Sequence, residues 1–177
     1  SQVKGKTVTD TQGRIRYYDA DSGEMIVNRF EKLSNGSWAY FGADGVAVKG
    51  YQTINGQQLY FDDNYAQIKG QEVVDVQGHL RFFDADSGEM VVNQFRQLSD
   101  GSWAYFGADG VAVKGHQTIN GKKMYFDNNC HQVKGQEVID SQGSVHYYDA
   151  DSGEMVVNQS RQLSDGTWRY FDIDGKA

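Results

Sequence analysis

Proline is absent from these 177 residues, where ordinary usage of about 5% would supply roughly nine. Large aliphatic residues are also scarce, with a mean hydropathy of −0.66, so a compact core of Leu, Ile and Val would be thin. The single cysteine, Cys130, excludes an internal disulfide and fits either a cytoplasmic protein or an exported bacterial one that does without bridges. No apolar run approaches the length of a signal-peptide core or a membrane span. Positive charge is short: 17 Lys and Arg against 24 Asp and Glu leave a net charge of −7. That balance argues against a module that grips a nucleic-acid backbone or anionic lipid, both of which need a basic stripe. The chain starts at Ser1 rather than Met and reads as a piece of something larger.

What the sequence does hold is aromatic and turn-forming residues: 11 Tyr, 9 Phe and 21 Gly. Disordered chains are depleted in aromatics, so this composition belongs to a folded one. The aromatics come in adjacent pairs, at Tyr17-Tyr18, Tyr40-Phe41, Tyr60-Phe61, Phe82-Phe83, Tyr105-Phe106, Tyr125-Phe126, Tyr147-Tyr148 and Tyr170-Phe171. The steps between them run 23, 20, 22, 23, 20, 22 and 23, so three short units make a 65-residue copy. The copies fall at 1–66, 67–131 and 132–177, the last incomplete.

A turn dipeptide precedes every pair, for example Asn35-Gly36, Asn55-Gly56, Asp100-Gly101 and Asn120-Gly121. Such dipeptides favour the two-residue type I′ hairpin turn, which needs positive φ at both central positions. Short alternating runs flank them, and no helical pattern intervenes. A lone hairpin is marginal in water, so the expectation is an all-β fold: one β-solenoid of about eight stacked β-hairpins with aromatics buried between neighbours.

After the aromatic pair comes an Asp/Gly-rich bend. Its longest form, DADSGE, occurs at 19–24, 84–89 and 149–154. An EF-hand reading fails because counting from Asp19 puts Gly23 fifth, Glu24 sixth and Phe30 twelfth. No apolar pocket is evident to separate the pKa values of the carboxylates, so the run reads as a structural bend. His79, His116, His131 and His146 show no zinc spacing. The neighbouring Cys130 and His131 correspond to Tyr65 and Ala66 one copy earlier, which reads as repeat drift rather than a nucleophile with its base. No catalytic, metal or cofactor site is expected.

Function then falls to the surface. Strand alternation puts Trp38 and Tyr40 on one face and Ala39 and Phe41 on the other, and Trp103 and Tyr105 repeat the arrangement. Gln67-Ile68-Lys69 and Gln132-Val133-Lys134 close their units with Gln and Lys on one face, as does Gln2-Val3-Lys4 at the start. An amide, an ammonium and a flat aromatic face suit a pyranose, with hydroxyls round its rim and apolar ring faces.

The elements NGxxxYFD, DGVAVKG and WAYF resemble the cell-wall/glucan-binding repeats at the C-terminal end of bacterial glucansucrases, the glucosyltransferases of oral streptococci and lactic acid bacteria. The resemblance covers essentially the whole chain. It implies a non-catalytic module that binds α-glucan such as dextran or isomalto-oligosaccharide. The module would be monomeric, secreted and attached to the cell surface or biofilm, as part of a sucrose-using enzyme. Carried onto this sequence, it points to Gln67 and Lys69 with Tyr40 as the stacking ring, and to Gln132 and Lys134 with Tyr105. Gln2 and Lys4 form a partial site, and Trp38, Tyr60, Trp103 and Tyr125 compete as stackers. The rivals are choline on teichoic acid, held by cation–π cages that favour several Trp per site, a toxin-type carbohydrate repeat, and a spacer with no ligand.

Overall fold

The computed structural model describes residues 2–177. Among them every regular element is a short strand. The first eight are β1 (Lys6–Thr9), β2 (Ile15–Tyr18), β3 (Arg29–Lys32), β4 (Trp38–Phe41), β5 (Gly50–Ile54), β6 (Gln57–Phe61), β7 (Gln71–Val74) and β8 (Leu80–Phe83). The second eight are β9 (Gln94–Gln97), β10 (Trp103–Phe106), β11 (Gly115–Ile119), β12 (Lys122–Phe126), β13 (Gln136–Ile139), β14 (Val145–Tyr148), β15 (Gln159–Gln162) and β16 (Trp168–Phe171). Each odd-numbered strand pairs with the next to give eight two-stranded sheets. The fold is all-β, and the hairpins are those marked by the aromatic pairs.

The turns divide into two kinds. Positive φ at both central residues, the type I′ signature, occurs at Asn55-Gly56 and Asn120-Gly121. At Asn35-Gly36 only the glycine is left-handed, at φ 88°. There Leu33 N–H donates to Ser37 O at 2.7 Å, which closes a longer loop. The Asn35 side chain accepts the Ser37 N–H at 2.9 Å, and this local bond occupies the asparagine that a type I′ turn would place left-handed. The same dipeptide therefore makes two different turns.

The chain divides into two compact units, one holding the residues up to Val73 with Phe82–Val91, the other Val74–Arg81 with Val92–Ala177. Each unit is a stretch of β-solenoid, because within it the bend after one hairpin hydrogen-bonds back to the hairpin before. In the first unit Ala47 N–H donates to Ile15 O at 3.0 Å and Gln67 N–H to Trp38 O at 2.7 Å. In the second, Gln132 N–H donates to Trp103 O at 2.7 Å and Met155 N–H to Lys123 O at 2.8 Å. These bonds join residues about thirty apart in sequence, so the stacking is recorded in the backbone as well as in side-chain packing.

The second residue of seven of the eight aromatic pairs is the core, while Tyr18 in the first pair is half-buried. Phe41, Phe61, Phe83, Phe106, Phe126, Tyr148 and Phe171 are fully buried. Strand alternation buries Ala39 and Ala104 on the same side and leaves Trp38 and Trp103 outward.

Candidate functional site

The DADSGE bend closes on its first carboxylate. Asp84 Oδ1 accepts the N–H of Asp86 at 2.9 Å and of Ser87 at 3.0 Å, while Ser87 Oγ accepts the Glu89 N–H at 3.0 Å. Asp19 and Asp149 make the same bonds in their own bends. The Ser152 and Asp151 N–H groups hold the Asp149 carboxyl below its ordinary range, so this aspartate is ionised and already committed to the backbone. Gly88 is left-handed at φ 74°, and a Cβ there would overlap the Gln67 amide. The glycine is needed twice, for the turn and for the approach of the glutamine.

That approach ties the two motifs together. Lys69 Nζ donates to Asp86 O at 3.3 Å, and Lys134 Nζ to Asp151 O at 3.2 Å. At the start of the chain Lys4 Nζ reaches Asp21 O at 3.0 Å and Gln2 Nε2 reaches Ser22 O at 3.1 Å. The Gln-x-Lys element therefore has a structural use, pinning the following bend over its own segment. A spacer could use it in the same way.

Two grooves form around it. The first, of about 300 Å³, is lined by Phe30, Trp38, Gln57, Leu59, Gln67, Lys69 and Ser87. The second, of about 250 Å³, is lined by Phe95, Trp103, Met124, Gln132, Lys134 and Ser152. Position by position they are one site displaced by a copy. Each lies within one unit. The backbone bond from Gln67 to Trp38 O, repeated from Gln132 to Trp103 O, sets amide and indole side by side. Both indoles remain open, Trp38 at 44% and Trp103 at 41%.

The tyrosines lie elsewhere. Tyr40 packs half-buried against the Ile54, Leu59 and Phe61 cluster, and Tyr105 against Ile119, Met124 and Phe126. Tyr40 meets Phe30 edge-on at 4.9 Å, and Tyr105 meets Phe95 at 4.8 Å. Tyr60 sits 4.8 Å from Tyr51 and 5.7 Å from Phe83, and Tyr125 4.8 Å from His116 and 5.8 Å from Tyr148. None of these four tyrosines lines either groove; Trp38 and Trp103 do. Sequence reasoning passed over Phe30, Phe95, Ser87 and Ser152. The paired recurrence of Gln67 with Gly88 and Gln132 with Gly153 was the available signal. Among the described residues no group of three or more His, Cys, Asp or Glu is placed to hold a metal ion.

Family comparison fits this repeat geometry. The model of the choline-binding repeat matches residues 1–30, 48–95 and 113–160. The chain belongs to the choline-binding repeat family. Among curated proteins it is 50% identical over 176 residues to Glucosyltransferase-S of Streptococcus mutans serotype c, matching 99% of this chain and 12% of that protein. It is 46% identical over 176 residues to Glucosyltransferase-I of Streptococcus downei, matching 99% of this chain and 11% of that protein. The chain thus spans about an eighth of these relatives. Among solved structures, choline binding protein F of Streptococcus pneumoniae superposes with a TM-score of 0.72 at 20% identity, covering 96% of this chain and 56% of that one. The choline-binding domain of CbpL from the same species gives 0.70 at 20% identity, covering 96% of this chain and 94% of that one. At such identities these two likenesses establish the repeat fold and leave the ligand open.

Proposed function

We propose that the chain is a non-catalytic carbohydrate-binding module that holds an α-glucan of the dextran type in its repeated grooves. It acts as a monomeric part of a longer secreted glucosyltransferase, keeping that enzyme on its product at the cell surface or in biofilm. The observation that carries this reading is the recurrence of an open indole beside an amide, an ammonium and a serine, at Trp38, Gln67, Lys69 and Ser87 and again at Trp103, Gln132, Lys134 and Ser152. An indole face covers the C–H face of a pyranose, while the amide and ammonium donate to its hydroxyl and ring oxygens. The 46–50% identical relatives named as glucosyltransferases support the same substrate class.

Choline is the rival that the family name suggests. A quaternary ammonium is held by several aromatic faces. Each groove here offers one open indole, and the Lys69 or Lys134 ammonium in its lining repels a second cation. Single sites this shallow are weak. Two on one polymer chain raise the overall affinity by about 10²–10⁴ without new contacts.

Calorimetric titration with isomalto-oligosaccharides, dextran and choline tests the reading. Heat with the glucans that is lost in the Trp38→Ala/Trp103→Ala variant is the expected result. Heat with choline alone, or with none of the three, overturns it. The tryptophans are the better probe because Gln67 and Lys69 also hold the bend.

A further inference from the structure

We propose that a cationic pocket in the first unit, between Lys6 and Lys32, binds a sugar phosphomonoester. That ligand class is distinct from the neutral glucan assigned to the indole grooves, and the pocket stands whether or not those grooves hold glucan.

The pocket is built by the first two hairpins. β1 and the residue before it supply Gly5, Lys6 and Thr7, and β2 supplies Tyr17, which faces Thr7 across the hairpin. Lys32, Leu33 and Ser34 come from the end of β3 and the turn after it. The cavity measures about 420 Å³, larger than either indole groove, and all its lining belongs to the first unit. No carboxylate lines it. Among the described residues neither Lys6 nor Lys32 forms an ion pair. The acids nearest them in sequence are already held by arginine, Asp10 by Arg14 at 2.8 Å and Arg16 at 3.1 Å, and Glu31 by Arg29 at 3.4 Å.

The other two copies place different chemistry here. Glycine, leucine, serine and an aromatic ring recur at the positions of Gly5, Leu33, Ser34 and Tyr17. The charged positions do not. Gln71 and Gln136 stand for Lys6, Gln97 and Gln162 for Lys32, and Glu72 and Glu137 for Thr7. Two lysines and no acid give the first copy +2 at this place, whereas one glutamate gives each of the others −1. In the third copy that glutamate has a use: Ser164 Oγ donates to the Glu137 carboxylate, and this bond above all holds the carboxyl below its ordinary range. With Thr7 in the glutamate's place, Ser34 meets no such carboxylate, and an incoming anion can supply the acceptor.

Two ammoniums and the hydroxyls of Thr7, Tyr17 and Ser34 all donate, so they suit an anion with several acceptor oxygens. A phosphomonoester carries about −1.5 to −2 charges at neutral pH and three acceptor oxygens. A carboxylate has one charge and two oxygens, and a neutral sugar leaves both ammoniums unanswered. Lysine meets phosphate as a point charge, which asks for no planar fork. Tyr17 and Leu33 are half-buried and give an apolar wall for the ring that bears the phosphate, while Lys6, Thr7, Lys32 and Ser34 are exposed.

The test is an NMR titration of the intact ¹⁵N-labelled chain with glucose 6-phosphate, with inorganic phosphate and glucose as separate arms. We expect saturable amide shifts at Lys6, Thr7, Leu33 and Ser34 with glucose 6-phosphate, weaker binding of inorganic phosphate, and no response there to glucose. Lys6→Gln/Lys32→Gln should weaken glucose 6-phosphate by roughly tenfold, as the loss of two exposed ionic contacts allows. Thr7→Glu, which restores an acid opposite Ser34, should abolish the shifts. Both variants carry residues that the chain already holds at the equivalent places in its other copies, and a thermal melt checks that they fold. Static amides at the pocket, or shifts of equal size beside Lys49, Lys69, Lys114 and Lys134, would overturn the site. Unchanged affinity in the double lysine variant would do the same. An equal response to glucose would overturn the phosphoryl assignment, and equal affinity for inorganic phosphate would overturn the sugar.

Discussion

Replacing Trp38 and Trp103 together by alanine should weaken glucan binding by an amount that the exposed indole area sets. Trp38 keeps 44% of its surface open and Trp103 41%. On a side chain of roughly 250 Å², that leaves about 110 Å² of indole for a ligand. A pyranose resting on one face covers about half of it, roughly 55 Å², which at about 25 cal/mol per Å² is worth ~1.4 kcal/mol, or about tenfold in Kd. A short isomalto-oligosaccharide that reaches one groove should therefore bind about tenfold more weakly to the double variant. If one dextran chain occupies both grooves, as the proposed function requires, it should lose up to about a hundredfold, because the two losses multiply on a linked ligand. Calorimetry with both ligands gives the two numbers, and a thermal melt shows whether the variant stays folded. A folded double variant with unchanged affinity for the short sugar would refute the indole as the stacking surface. An equal loss for short sugar and polymer would refute the linkage of the two grooves.

Four further outcomes follow from the same structure. Phe61→Ala removes a fully buried ring and should cost ~3–5 kcal/mol in urea unfolding; a loss below ~1 kcal/mol would mean that its cluster repacks. Gly88→Ala places a side chain at φ 74° and against the Gln67 amide. The left-handed conformation alone should cost ~1–2 kcal/mol, and affinity at that groove should fall while the Gln132 groove keeps its own; equal loss at both would contradict it. Asp10 and Asp140 have carboxyls lowered from 3.8 to about 2, at Asp10 by N–H donors that outweigh partial desolvation. Because the folded pKa is depressed, the unfolded chain binds more protons between these values. The stability they supply is complete above pH ~4 and is lost as pH falls through about 2, so the midpoint of thermal melting should drop across that window, and Asp10→Asn should flatten the drop. Cys130 is buried, and burial pushes its thiol up; a disulfide reagent at pH 8 should modify it slowly in the native chain and fast in urea, and rapid native reaction would show that the bend opens.

The repeat was legible because it is written in residues with strong local preferences. Tyr-Phe pairs at a 65-residue period, Gly and Asn at left-handed positions, and Asp at the head of each bend all fix backbone conformation within a few residues. Alternation likewise separates Ala39 and Phe41 from Trp38 and Tyr40, since successive strand residues point to opposite faces. Alternation could not rank Trp38 against Tyr40 as the groove residue, because both share a face. What separates them is the bond from Gln67 N–H to Trp38 O, made between segments 29 residues apart, together with the packing of Tyr40 on Leu59 and Phe61. The DADSGE run was readable as a bend from its composition. That its glycine must admit Gln67, and that its backbone carbonyl receives Lys69, depends on a neighbour brought in by stacking.

The sequence by itself thus determined the hairpins, their count and period, and which ring of each pair goes inward, because those choices are local and recur in every copy. Only the tertiary structure decided which outward side chains share a groove. Stacking sets one hairpin's first outward residue against the segment that closes the next, and no pattern within a single hairpin contains that distance. It also decided that two hydrogen-bonded pairs, Tyr148 with His116 and His146 with Asp140, scattered over some thirty residues, lie against each other with imidazole centroids 5.8 Å apart.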